Sequence, residues 1–169
     1  MTELSGPDAM MVEGFRSAMR RLAASVHVAT ARDATGCHGM TVTAACSLSV
    51  EPAAMVVCIN RSARAHAAMI ETGRLCLNLL SAGEEELAAR FAGGTGEIGL
   101  ARFDPARWSL DAPAGPSFVN ALASIDLSVE SNQDFGTHTI FACAVDAVRL
   151  GGERPALLYA NRRYGALLP

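Results

Sequence analysis

No charge of one sign dominates this chain. It carries 14 Lys and Arg against 17 Asp and Glu, a formal net charge of -3, with both signs mixed along 169 residues. That leaves no electrostatic footprint for nucleic acid or for an anionic membrane surface. No apolar run approaches the ~18 residues of a membrane-spanning helix. The opening "MTELSGPDAMM" lacks the apolar stretch a secretory signal needs, and residues 1–8 are expected to be a flexible N-terminus. The cysteines (Cys37, Cys46, Cys58, Cys76 and Cys143) are odd in number and form no C-x-x-C. Most sit in apolar runs, where Cys acts as a small hydrophobe, so a reduced, cytoplasmic setting is expected. His27, His38, His66 and His138 show no ligand spacing such as H-x-x-x-H, and no G-x-S-x-G occurs. Neither a metal centre nor a serine nucleophile is expected. Aromatic residues are scarce: one Trp, two Tyr and six Phe, nine in all. An aromatic sandwich around a flat ligand is therefore not expected.

What the chain does have is apolar surface. Half its residues are hydrophobic and only 18% are charged, which fits one domain with a proper core and points to a subunit interface. Residues 9–24 place Met11, Phe15, Met19 and Leu22 at helical spacing, an amphipathic helix. The period then changes to two. "VHVATAR" (26–32) and "HGMTVTAACSLSV" (38–50) read as a hairpin of two strands across "DATG". "AMVVCIN" (54–60) is a buried strand, "ARAHAAMIETG" (63–73) a short helix closed by Gly73, and "RLCLNLLS" (74–81) a further strand. Ser81 and Glu84 are spaced as a capping box before a helix over about 83–92. Residues 100–118, with three prolines, read as irregular connection. "NALASIDLSVESNQ" (120–133) and "THTIFACAVDAVRL" (137–150) form a hairpin across "DFG", and "ALLYANRRYG" (156–165) a final short strand. About seven strands with three or so peripheral helices, in no regular alternation, predict a mainly β, antiparallel barrel or meander.

Five stretches could carry chemistry. "GGTGEIG" (93–99) contains G-x-G-x-x-G, the dinucleotide fingerprint. That fingerprint needs a strand before it and a helix after it. Here a helix precedes it and Pro105 interrupts the residues after it, so a flexible flap beside a different site is the better reading. "GMTVTAACS" gathers Thr41, Thr43, Ala44, Ala45 and Ser47 into one strand. Such small side chains let a flat ligand reach the backbone, or they simply face water. "CINRSARAH" brings Asn60, Arg61 and Ser62 to the start of a helix, with His66 in its first turn. That suits a phosphate, and it also suits plain capping by Ser62. In "FGTHTIF" His138 opens a strand and could sit at a rim or serve the structure. "YANRRYG" sets Arg163 and Tyr164 near the C-terminus, fit for a pocket, a subunit contact or a solvated tail.

Taken in order, "SAMRRLA", "GMTVTAACSLSVEPAAMVVCIN", "RLCLNLL", "FAGGTG", "RF", "GTHTIF" and "LLYANRRYG" resemble the short flavin reductases of two-component monooxygenases. The likeness to the reductase component of 4-hydroxyphenylacetate 3-monooxygenase runs over roughly residues 14–166. The resemblance implies a Greek-key-like split β-barrel of the FMN-binding type, built as a homodimer. It implies hydride transfer from NADH, or NADPH, to loosely held FMN or FAD, with the reduced flavin passed to a separate monooxygenase. Under it Thr41, Thr43, Ala44, Ala45 and Ser47 would line the isoalloxazine ring. Asn60, Arg61 and Ser62 would hold the phosphate end, and His66 and Phe91 would join the cofactor-binding set. His138 would be the catalytic residue by the nicotinamide, near Arg163 and Tyr164. The chain departs from many relatives at Arg61 and Ala63, where they carry Ser or Thr, so FMN against FAD stays open. A flavin-mediated reductase of corrinoid cobalt and a non-enzymatic flavin-binding barrel are the alternatives.

Overall fold

Period-two segments rich in Val, Ile and Thr pair wherever a turn lets them meet, and here they build one large antiparallel sheet. The computed structural model describes residues 9–94 and 96–167. The expected flexible segment at 1–8 lies outside the described residues. Helix α1 (Ala9–Arg21) leads into a short strand, β1 (Ala24–Ser25). Strands β2 (His27–Asp33), β3 (Gly36–Val42), β4 (Ala45–Val50) and β5 (Ala53–Asn60) come next, then α2 (Arg64–Thr72), β6 (Arg74–Leu79) and α3 (Glu85–Phe91). A 3₁₀ turn at Gly99–Arg102 precedes β7 (Trp108–Ser109) and β8 (Ser117–Phe118). The long strands β9 (Ala123–Phe135) and β10 (His138–Leu150) form a hairpin, and β11 (Leu157–Ala160) and β12 (Arg163–Ala166) end the fold.

Seven strands lie in the order β3-β2-β6-β9-β10-β5-β4, and β1-β11-β12 and β7-β8 form small sheets beside them. All the paired strands run antiparallel. The expected single strand over 38–50 is two. Its halves break at Thr43–Ala44 and become opposite edges of the sheet, β3 against β2 and β4 against β5. No ladder joins β3 to β4 among the described residues, so the sheet is open rather than a closed barrel. The final stretch is also not one strand. Asn161 (φ 49°) and Arg162 (φ 60°) both take the left-handed backbone and turn 157–166 into a two-residue hairpin. Within 100–118, expected to be irregular, β7 and β8 pair through Trp108 and Phe118. The capping box does not form. Ser81 Oγ is buried without a hydrogen-bond partner among the described residues, and the Glu84 carboxylate takes the Arg107 guanidinium instead. Gly73 closes α2 as predicted, with φ 63° and its N–H donating to Met69 O.

Residues 27–31 of β2 are buried on both faces because an apolar cluster covers each side. One holds Ile59, Met69, Leu75, Leu77, Leu127 and Phe141 under α2. The other holds Val26, Val28, Leu87 and an aromatic knot in which Phe91, Phe103, Trp108 and Phe118 meet with centroids 5.0–5.3 Å apart. Asn78 joins the layers and is fully buried. Its amide donates to Val28 O (3.1 Å) and Pro116 O (3.3 Å), and its carbonyl oxygen accepts from Phe118 N–H and Ser124 Oγ–H, both at 2.8 Å. Nearby, Arg149 grips Asp126 with two nitrogens at 2.6 and 2.8 Å, which holds the Asp126 carboxyl below the usual carboxylate range. Helix α1 differs from the rest: it buries no residue, and Met11, Phe15, Met19 and the neighbouring Leu22 are exposed.

Both polar networks are open to test through stability. Asn78→Ala strands several buried groups at once and lowers the unfolding free energy by about 3 kcal/mol in urea titrations. The Asp126–Arg149 contribution is complete above the unfolded carboxylate value of ~4 and is lost as pH falls through the lower folded value. The urea midpoint of the wild type therefore drops more steeply in that acid range than that of Asp126→Asn.

Candidate functional site

The break at Thr43–Ala44 and the end of β5 open three concavities. The first, about 540 Å³, lies between α1 and the β11–β12 turn and is lined by Thr43, Ala44 and Tyr159–Arg162. The second, about 420 Å³, is lined by Gly39, Thr41, Asn60, Ser62, Phe91 and Arg102, with Gly93, Glu97 and Ile98 at its margin. The third, about 540 Å³, takes Asn60, Arg61, Ser62, His66, Gly136 and Thr137. Asn60 and Ser62 belong to both of the last two. Their shared segment is the point at which β5 stops pairing and α2 begins.

Local geometry explains that segment. Asn60 Oδ1 accepts from Ser62 N–H (2.9 Å) and Ser62 Oγ–H (2.8 Å), a tight side-chain turn. Ser62 therefore does not cap α2. Ala63 holds the cap position and offers no side-chain acceptor. Arg61 turns the other way and meets Asp134 at 3.4 Å. Thr139 Oγ also reaches Asp134, at 2.5 Å, and lies 2.7 Å from His66 Nε2. A carboxylate only accepts, so the Thr139 hydroxyl must donate to Asp134 and accept from His66. The proton of a neutral His66 ring is thereby placed on Nε2. Phe141, packed edge-on at 5.8 Å, holds the ring. Asp134 and Thr139 are the members that sequence reasoning misses. A signal for Thr139 is present: it shares the inward face of β10 with Phe141, and a fully buried polar residue there needs a partner.

The remaining candidate residues are more dispersed. Thr41 is half-buried, with its hydroxyl donating to Ala88 O at 2.6 Å, which ties β3 to α3. Thr43 and Ala44 are exposed in the first concavity. Ala45, half-buried, pairs with Val57, and Ser47, exposed, pairs with Met55; neither lines the three concavities. Phe91 is core, with one edge on the second concavity, and it lies so close to β3 that a Cβ on Gly39 would stand 2.7 Å from its ring. His138 is exposed at the start of β10, opposite Asn60, with Nδ1 2.9 Å from Thr137 Oγ1. Arg163 is exposed on β12, and Tyr164 packs against Tyr159 with ring centroids 5.2 Å apart and planes tilted by 58°. Burial raises the Tyr164 phenol. Within one chain, none of the three concavities brings Arg163 or Tyr164 together with His138. The glycine stretch comes after α3 and leads into a 3₁₀ turn, with no strand before it, so it is no dinucleotide fingerprint. Its Gly93, Gly96 and Gly99 all have positive φ, and part of it borders the second concavity; Thr95 lies outside the described residues.

Comparison with known proteins finds one family. The flavin reductase like domain matches residues 19–168. The chain is 38% identical over 169 residues to the FMN reductase (NADH) RutF 1 of Methylorubrum extorquens (strain PA1), covering 99% of this chain and 83% of that protein. Among solved structures, it is similar to the styrene monooxygenase flavin reductase of Pseudomonas putida S12, with 28% identity, a TM-score of 0.79 and coverage of 92% and 99%. It is also similar to BorF, the flavin reductase component of a bacterial two-component tryptophan halogenase, at 25% identity and a TM-score of 0.84, covering 92% and 98%.

The hydroxyl bridge can be read directly. Nitrogen-15 NMR of the wild type shows the neutral His66 ring protonated on Nε2. Thr139→Val removes the acceptor, yields a mixture of tautomers and costs about 1 kcal/mol of stability.

Proposed function

The chain belongs to the flavin reductase like domain family, and on that footing we propose that it is an NADH:flavin oxidoreductase supplying reduced flavin to a separate monooxygenase. The observation that carries this is the 38% identity, spread over 99% of the chain, with a protein named FMN reductase (NADH). The solved neighbours serve a styrene monooxygenase and a tryptophan halogenase, which supports a flavin-consuming partner. The corrinoid reductase and the non-enzymatic barrel have no counterpart among these relatives.

Bound flavin and nicotinamide nucleotides would supply the chemistry, a hydride transfer from nicotinamide C4 to flavin N5. The protein's task is to place the rings, which needs no side-chain nucleophile. The residues present fit a flavin. Thr43 and Ala44 offer small exposed side chains, with Thr41 before them and Ala45 and Ser47 after, along which the isoalloxazine can lie close to the backbone. Asn60, Arg61, Ser62 and His66 gather at one end for the phosphate, and Phe91 closes the floor beside Gly39. His138 stands across the strand pair from Asn60 and positions the nicotinamide. FMN is the flavin in the relatives' names; FAD and NADPH are second choices.

A homodimer belongs to the same reading. The bare apolar face of α1 borders the concavity of Thr43, Ala44 and the β11–β12 turn. A second copy covering that face would bring its own Arg163 and Tyr164 toward the ring site, which one chain leaves apart. The open sheet then reads as one half of a split barrel, since its two edge strands are joined by two residues. No helix among the described residues is long and apolar enough to cross a membrane. All five cysteines are free, in keeping with a cytoplasmic setting.

Purified protein mixed with NADH is expected to lose the NADH absorbance only when FMN or FAD is added; no flavin dependence with either would sink the reading. His138→Ala raises the KM for NADH roughly tenfold with FMN binding unchanged. Phe15→Arg with Met19→Arg halves the mass measured by sedimentation, from dimer to monomer.

A further inference from the structure

The first concavity, about 540 Å³, has a cationic rim. Arg16 and Arg20 reach it from α1 and Arg162 from the β11–β12 turn, and Thr43, Ala44 and Tyr159 line it as well. The chain as a whole has a formal charge of -3, so three guanidiniums around one cavity reverse the sign locally. Among the described residues one carboxylate answers them. Glu13 lies 3.9 Å from Arg16 and 3.8 Å from Arg20, too far for a hydrogen bond to either. The Arg162 side chain has no ion pair or hydrogen bond among the described residues.

The backbone at Arg162 is a second, independent observation. A two-residue hairpin turn with positive φ at both central residues favours Asn followed by Gly. Asn161 (φ 49°) follows that preference and Arg162 (φ 60°) does not. The left-handed region is free for glycine and strained for a residue with a Cβ. The turn is also tied in place, because Asn161 N–H donates to Arg20 O at 2.6 Å and holds Arg162 against the end of α1. Strain retained in the wall of a cavity points to use of the side chain there.

We propose that Arg162, with Arg20 and Arg16, holds the diphosphate bridge of NADH in the first concavity, beside the Thr43–Ala44 strip along which the flavin ring lies. The identity of the dinucleotide rests on the flavin reductase reading above. Each phosphate of the bridge carries one negative charge and presents acceptor oxygens that a guanidinium fork matches. The bridge thus supplies the anion that Glu13 alone does not. It takes no part in hydride transfer, so holding it adds affinity for NADH without changing the chemical step.

Arg162→Gly tests this because it removes the charge and the strain in one step, so two readouts move in opposite directions. The urea midpoint rises, while the KM for NADH rises about tenfold with kcat and the Kd for FMN unchanged. Arg162→Asn, which also tolerates the left-handed backbone, behaves alike. Arg162→Lys keeps both charge and strain and stays within about threefold of the wild-type KM. All three variants oxidise 1-benzyl-1,4-dihydronicotinamide, a hydride donor without phosphate, at the wild-type rate. An unchanged KM for NADH in Arg162→Gly, an equal loss with the phosphate-free donor, or weaker binding of FAD with NADH unaffected would overturn the proposal. Calorimetry with NAD⁺ separates the two readings. Binding that weakens about tenfold in Arg162→Gly, in a protein that reduces no flavin, would overturn the reductase reading and leave the diphosphate site standing.

Discussion

One stretch of chain forms both edges of the main sheet. Gly36–Val42 and Ala45–Val50 flank the other five strands of the sheet from opposite sides, yet only Thr43 and Ala44 separate them. Two residues span no more than about 11 Å from Val42 to Ala45, so the sheet has to curl until its edges approach. Ala44 O accepts the Cys58 N–H at 2.8 Å, which anchors the crossing to β5. Everything proposed for the site depends on this. Thr41 is placed by β3, Thr43 and Ala44 stand exposed because they belong to neither ladder, and Asn60 is brought in because β5 comes so soon after the crossing.

Away from the crossing, polar groups are placed with little slack. Asn78 takes up the polar atoms that two apolar clusters would otherwise strand between them, and Asp126 with Arg149 does the same at the rim. The exceptions among the described residues are His27 Nδ1, Ser81 Oγ and Arg102 Nε, each buried without a hydrogen-bond partner. The surroundings of Arg102 are aromatic, with the centroid of the Phe91 ring 4.8 Å from its guanidinium carbon, and the nearby Glu97 is engaged by Arg90. Asn78 holds the layers together, whereas Arg102 faces a concavity.

Much of this is legible in the chain. Alternation places most strands, Gly73 marks the end of α2, and the context of "GGTGEIG" is enough to reject a dinucleotide fingerprint. The departures share a cause. A β-rich run does not show where its pairing partner changes. Residues 38–50 therefore read as one strand, and 156–165 hides a turn made by Asn161 and Arg162 rather than by glycine. The capping box fails because Glu84 has a better partner in Arg107, 23 residues on. In the site, Asn60, Ser62 and His66 are visible because they lie close together in sequence. Asp134 and Thr139 come to His66 only through the register of β9, β10 and β5, and Arg102 sits in "LARFDPARW" with nothing to distinguish it from a surface arginine.

The aromatic knot has an optical side. Trp108 is the one tryptophan, 3% exposed to water and in contact with Phe91, whose ring also borders the second concavity. Its emission comes from a single dry environment rather than an average over several. A yellow flavin lodged one ring away would overlap that emission and drain it by resonance energy transfer. The lone indole is thus a built-in gauge of whether the neighbouring cavity is filled.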